Sequence, residues 1–487
     1  MKGSFLKKLC LILTVVVSTS NLIACAPKNF STEKGTATTT TPTASSKPEK
    51  ITGMFDTILK VEDGQAKVVE EFKKQTGIDL VITNPIHNQY YEKLNLAFAS
   101  GDIPDVVEMG GTTYSAYANN GALYDMTSLV EKSATIQKLS TVTMDSEKIG
   151  GKLYGVPKAS GNGTVTYLRK DWLDLNNLEV PKTYEEYINV LKVFADDPDK
   201  NGKKDTFGTS AAGLFSDDPT TTPDIYLREF YQDAYPDFKL VNNTWVDGIT
   251  QPEMKPALER LRKAYSMGLF DKEIITNKTT NVRDKFYSGK VGAMSYWAGT
   301  WSTTLEDELK KAVPTASIVA IPAIKETNYT SRVPSVYAIT SKAKNPEGIF
   351  KYLLEYMHDA GKGELLFSRG VENVHYKVTD GKATMLTVKS TYFFDPTLTI
   401  SQFKDPAIID PRISKSTKTF EADSQMAKLL PASAAYTKTG VDLIQSRKEI
   451  ISKVVIGQMT VDEGLEKYKK DNQVIVDAIL NEFNVAK

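Results

Sequence analysis

The chain has 487 residues, with Lys+Arg 60 against Asp+Glu 60, 41% hydrophobic and 9% aromatic, a globular composition whose length allows about two or three domains. The even charge balance lacks the clustered basic excess of a nucleic-acid footprint. Both cysteines, Cys10 and Cys25, lie near the N-terminus, so disulfides, thiol catalysis and Cys-ligated zinc are excluded from the rest, and His87, His358 and His375 form no HExxH or H-x3-H pair.

Lys2, Lys7 and Lys8 precede an apolar run from Leu9 to Val17. This is the layout of a secretory signal and is too short for a spanning helix, which needs about 20 residues. Leu22-Ile23-Ala24-Cys25 looks like a bacterial lipobox, so residues 1–24 are expected to be removed and Cys25 to carry the lipid. Residues 26–50 hold seven Thr, three Ser and three Pro, with Phe30 as the only large hydrophobe. Such a stretch reads as a flexible tether, reaching roughly 80 Å if fully extended.

From Ile51 a βαβαβ pattern is expected: a strand ITGMF, a helix with Val69 and Phe72 inward and Gly77 as C-cap, a strand IDLVIT, a helix with Tyr91, Leu94 and Phe98 on one face, and a strand over Asp105 to Met109. That predicts a mostly parallel sheet with helices on both faces. Ligands bind such sheets beyond the carboxyl ends of their strands, which selects Asp56 with Thr57, Asn84 to Tyr90, and Met109 to Thr113. A loop over Lys158 to Gly163 leads into a strand Thr164 to Leu168. Thr183 with Glu186 and Thr460 with Glu463 have capping-box spacing, and the second pair opens a helix with Leu465, Tyr468, Ile475, Ile479 and Phe483 on one face. Trp172 is expected in the core, and Trp245, beside Asn242 and Asn243, at the surface or an edge.

The sharpest local motif is Asp197-Pro-Asp199-Lys-Asn201-Gly202-Lys203-Lys204-Asp205. Side-chain oxygens at positions 1, 3, 5 and 9, Gly at 6 and a carbonyl from Lys203 at 7 reproduce most of an EF-hand calcium loop. Position 12 is Gly208 instead of Glu, so further oxygens must come from water or an acid such as Asp196. The same residues also favour plain polar turns. No phosphate-binding loop occurs and no GxSxG elbow, while a pair of glycosidase carboxylates could hide among 60 acids. Gly289 to Trp301 reads as an apolar strand running into a Gly-containing loop with Trp297 and Trp301, indoles that can stack on sugar rings or plug a core.

Together these pieces resemble the family 1 extracellular solute-binding proteins of bacterial ABC importers, the sugar-binding lipoproteins. The resemblance rests on Ser100-Gly-Asp-Ile-Pro-Asp105, Gly121-Ala-Leu-Tyr-Asp-Met126, Gly151-Lys-Leu-Tyr-Gly-Val-Pro157, Leu168-Arg-Lys-Asp-Trp172, Gly289 to Trp301, Asn345-Pro-Glu347 and Gly457 to Gly464, in the family's order. The calcium loop is similar to that of the subgroup with the alginate-oligosaccharide binders. The resemblance implies an α/β, two-lobed, type II periplasmic-binding-protein-like fold with a hinge and an interlobe cleft. Lobe one would be 51–160 plus 334–368, and lobe two 161–333 plus 369–487. It places Met109, Gly111, Thr112 and Thr113 at first-lobe strand-end contacts, Ser160 and Asn162 at the hinge, and Trp301 at the cleft tryptophan with Trp297 as an extra. Asp56, Asn88, Tyr90, Tyr337 and His375 are further cleft candidates. Met109 stands where many sugar binders carry an aromatic, which weakens stacking from that lobe.

The expectation is a monomeric, non-catalytic receptor on the outer face of the membrane of a Gram-positive-like bacterium. It would be lipid-anchored and stabilised by structural Ca2+, and would hand an oligosaccharide to ABC permease subunits. A receptor for another polar solute such as a peptide, or a secreted calcium-containing polysaccharide-degrading enzyme, are the alternatives.

Overall fold

The computed structural model describes residues 46–56, 58, 59, 61–86, 89–139, 141–158, 163–214, 226–379, 382–386 and 410–485. The signal segment, Cys25, most of the tether, Asn88, Ser160 and Asn162 lie outside them. In chain order the strands are β1 (Lys50–Met54), β2 (Asp79–Thr83), β3 (Val106–Met109), β4 (Gly155–Pro157), β5 (Thr164–Arg169), β6 (Phe207–Ser210), β7 (Phe238–Val241), β8 (Thr244–Asp247), β9 (Val291–Trp297), β10 (Ile318–Ala320), β11 (Tyr329–Ser331), β12 (Val336–Ile339), β13 (Tyr376–Thr379), β14 (Lys382–Met385) and β15 (Ser424–Met426).

The expected βαβαβ start is present. β1 pairs in parallel with β2 (Ile51 opposite Leu80) and with β3 (Gly53 opposite Val106). The helix Gln65–Thr76 stops at Gly77, whose φ of 71° lets its N–H reach the Lys73 carbonyl, a conformation that costs glycine least. Its buried face is Val68 and Phe72, with Val69 only half-buried. The sheet is not all parallel. β12 inserts antiparallel between β3 and β4, giving the order β2-β1-β3-β12-β4. Successive β3 residues feed opposite faces: Val106 packs with Ile51, Phe72, Val156 and Ile339, and Val107 with Leu94, Tyr114 and Val336.

A second sheet has the order β10-β5-β9-β6. β5 and β9 are antiparallel with Thr164 opposite Trp297, and β6 runs parallel to β9. It is covered by the helix Tyr184–Phe194, and the long helices Ala434–Val455 and Val461–Val485 add Leu443, Ile451, Ile479 and Phe483 to the same core. The Thr460–Glu463 capping box is reciprocal, at 3.2 and 2.8 Å. In the other, Thr183 caps Glu186 N–H, but Glu186 reaches back to the Lys182 amide.

Trp172 is in the core as expected, at 2% exposure. Trp245 corrects its expectation. It is buried beneath Phe483 (ring centroids 5.7 Å apart), and its strand is held by Asn484 of the last helix. Residues before Ile51 also join the fold, because the Ser46 carbonyl accepts from Asn345 and Lys50 belongs to β1. The returning helix Lys362–Arg369 places Leu366 and Phe367 in the first sheet's core. No helix among the described residues is long and apolar enough to cross a membrane.

Candidate functional site

Parallel pairing brings the carboxyl ends of β1 and β3 to one edge, where the structure assembles a polar knot. Glu108, the one charged residue of an otherwise apolar buried strand, accepts from the Asp56 amide at 3.0 Å and from the Lys158 ammonium at 2.9 Å. Lys158 also donates to the Asp56 carbonyl at 3.2 Å. Burial pushes the Glu108 carboxyl above its ordinary range, against the pull of Lys158. The Tyr90 hydroxyl lies 2.9 Å from the Met54 carbonyl and 2.6 Å from that of Glu108, so it ties β1 to β3 from beneath. It is 1% exposed, and burial raises its pKa. Tyr90 supports this edge and is not a contact surface on it.

Tyr337 and His375 are also internal. Tyr337 packs edge-on against Phe55 in the first sheet's core. His375 is fully buried, with Nδ1 accepting from Val371 N–H and Nε2 2.9 Å from the Asp63 carbonyl. Both are corrected from ligand candidates to packing residues, because neither presents an atom to solvent.

Gly111, Thr112 and Thr113 open the helix Gly111–Asn119 directly after β3 and are half-exposed. Trp297 ends β9 and Trp301 opens the helix Trp301–Ala312, both half-buried. Their partners differ. The Arg332 guanidinium lies 4.7 Å over Trp297, while Trp301 meets Tyr296 edge-on at 4.8 Å with Arg283 5.2 Å over its ring. The segment from Arg332 to Ser335 links these regions. Ser335 sits so close to Gly110 that a Cβ there would lie 3.1 Å from its hydroxyl. Three peptide steps, at most about 11 Å, therefore separate the residue on Trp297 from the residue on the Gly110-Gly111 turn.

Glu108, Lys158 and Arg332 do not stand out by sequence motif. The only local sign is an acid inside an apolar strand, since a buried charge needs a partner.

In the Asp197–Asp205 loop, Asp197 accepts from the amides of Asn201 (2.9 Å) and Gly202 (3.0 Å), Asp199 from the Asn201 side chain, and Asn201 from the Lys203 amide. Gly202 has φ 81°. Asp205 instead pairs with Lys290, which lowers its pKa. Gly208 is inside β6, with no room for a side chain against the Leu191 carbonyl. Among the described residues no three acid, histidine or cysteine side chains converge on a metal position. The donor set itself, all oxygen, suits a hard cation such as calcium.

The profile of the family described as "Bacterial extracellular solute-binding protein" matches residues 61–359. The polygalacturonan/rhamnogalacturonan-binding protein YtcQ of Bacillus subtilis (strain 168) is 24% identical over 439 residues, 83% of this chain and 85% of that protein. Among solved structures, an extracellular solute-binding protein from Bifidobacterium longum subsp. infantis superposes with TM-score 0.68 at 18% identity, covering 92% of this chain and all of that one. The alginate-binding protein AlgQ2, solved without calcium ion, gives 0.61 at 21% identity, covering 90% of this chain and 98% of its own. These neighbours carry the type II periplasmic-binding-protein-like fold, as the two α/β sheets here do. The chain therefore belongs to the bacterial extracellular solute-binding protein family.

Proposed function

We propose that this protein is the lipid-anchored, non-catalytic receptor of an ABC importer, which binds an oligosaccharide between its two sheets and delivers it to permease subunits outside the cell. The observation that carries the reading is the short Arg332–Ser335 link, which ties an indole of the second sheet to the strand-end turn of the first. Aromatic faces stack on the CH surfaces of sugars while neighbouring polar groups select hydroxyls. The YtcQ name and the family match support saccharide cargo. We place lobe one at 51–160 plus 334 to about 375, extended past 368 because His375 is bonded to Asp63. Lobe two is 161–333 with the remainder, and Cys25 is the lipidation site. Closure of the lobes on the ligand couples affinity to conformation.

Trp297→Ala and Trp301→Ala should each weaken oligosaccharide binding about 10- to 100-fold, the loss of one stacking contact and its buried area. Calorimetry on the purified protein measures this. Unchanged affinity in both variants would remove the tryptophans from the site, and recovery of cleaved sugar would replace the receptor by the enzyme.

Calcium would be held by Asp197, Asp199, Asn201, the Lys203 carbonyl and Asp205, and would pin the turn before β6. Chelation should lower the melting temperature, and calcium at about a hundredfold over Kd should restore about 2.7 kcal/mol. Asp199→Ala, which removes the ligating oxygen, should abolish the response. A melt indifferent to chelator in the unmutated protein would leave the loop as a hydrogen-bonded turn.

A further inference from the structure

A cavity of about 410 Å³ opens in the second sheet's half of the molecule, beside β11 and the segment after β15. None of the sequence-predicted ligand residues lines it. Its walls carry the aromatic rings of Tyr235 and Trp245, the amides of Asn328 and Gln425, and three cations, Arg228, Lys239 and Lys428. This volume and mixture of flat apolar faces with a few polar groups is that of a small-ligand pocket.

The charges decide what it would take. Arg228 donates to the Gln232 carbonyl at 3.2 Å and to the Thr330 hydroxyl, and stands 6.0 Å over Tyr235. Both hydrogen-bond partners are neutral. The adjacent carboxylate, Glu229, is turned inward to Thr166, at 2.5 Å. Of the acids on the wall, Asp233 is exposed, Asp237 is paired with Arg447, and Glu326 accepts the Tyr184 amide at 3.0 Å. Lys239 is paired with Glu253. Among the described residues no carboxylate forms an ion pair with Arg228 or Lys428. Burial lowers the Arg228 pKa, against the pull of Tyr235 and Glu229. A desolvated arginine is costly to leave unpaired, and its planar fork matches a carboxylate.

We propose that this pocket binds a carboxylate-bearing sugar unit, a uronate, whose carboxylate pairs with Arg228 while its ring lies against Tyr235. The assignment rests on the oligosaccharide reading and deepens it. The cargo is acidic, and Arg228 selects it.

The test is calorimetry on the purified full chain with trigalacturonate and with its methyl-esterified form, which removes the charge and keeps the sugar. The unmutated protein should prefer the acid trimer by about tenfold or more, Arg228→Gln should abolish that preference, and Arg228→Lys should keep part of it. Lys428→Gln, at an exposed position, should cost a few-fold for the acid alone and covers the case in which Arg228→Gln does not fold. Inorganic phosphate in excess should not compete. Equal binding of the two trimers, or an unchanged preference in Arg228→Gln, overturns the pocket and leaves the receptor standing. Competition by phosphate overturns the sugar assignment. Binding of neither trimer nor of any neutral oligosaccharide overturns both readings.

Discussion

Replacing Arg447 by methionine is expected to destabilise the protein by about 3–5 kcal/mol, the cost of stranding buried charge. Arg447 is fully buried in the helix Ala434–Val455 and pairs with Asp237 and with Asp247 (2.9 Å), while its Nε lies 3.1 Å from the Tyr468 hydroxyl. Tyr468 in turn donates to Asp247 at 2.8 Å, and Phe238 lies 4.6 Å under the guanidinium. Burial works against the charge of Arg447, but Tyr468 and the two aspartates outweigh it and keep it protonated. Methionine would fill much of the volume yet leave two carboxylates without a cation. Urea denaturation followed by circular dichroism measures the loss, and adding Asp237→Asn and Asp247→Asn should recover part of it. A loss under about 1 kcal/mol would mean that the cluster is solvated or relaxes freely.

The opposite sign is expected at Glu147. Both of its carboxylate oxygens are buried without a hydrogen-bond partner among the described residues, and burial raises its pKa well above the ordinary value. The folded state therefore binds this proton more tightly than the unfolded chain does. Its contribution is intact below the unfolded pKa of about 4.3 and is lost as pH rises from there toward the folded pKa. Glu147→Met keeps the length and removes the unpartnered oxygens. It should stabilise the protein by about 1–3 kcal/mol at pH 7, with the gain shrinking toward pH 4. Paired melts at the two pH values decide it: a destabilised variant at pH 7, or a gain independent of pH, would show that Glu147 has a polar partner.

What was legible in the sequence was local. Gly77, the Thr460–Glu463 box and the βαβαβ start depend on residues within a few turns of one another, and the structure reproduces them. What failed depends on distance along the chain. Trp245 beside two asparagines reads as surface until Phe483 covers it. His375 reads as a cleft candidate until the Asp63 carbonyl, 312 residues earlier, meets its Nε2. The Glu108–Lys158 pair spans 50 residues. The second-half pocket has no motif at all, since Arg228, Thr330 and Lys428 come from three separate segments.

The position of β12 bears on how this chain acquires its structure. It is a central strand of the first sheet, yet it follows its neighbour β4 by well over a hundred residues. Until that late segment emerges, β3 and β4 each present an unpaired edge, and the apolar faces of Val106 and Val107 have no lid from Ile339 or Val336. Loop closure over such separations slows folding and leaves sticky edges open meanwhile. A chain cut before Val336 would lose the strand that joins β3 to β4 and also the helices Ala434–Val455 and Val461–Val485 of the other core, so premature truncation should yield aggregates and no half-size receptor.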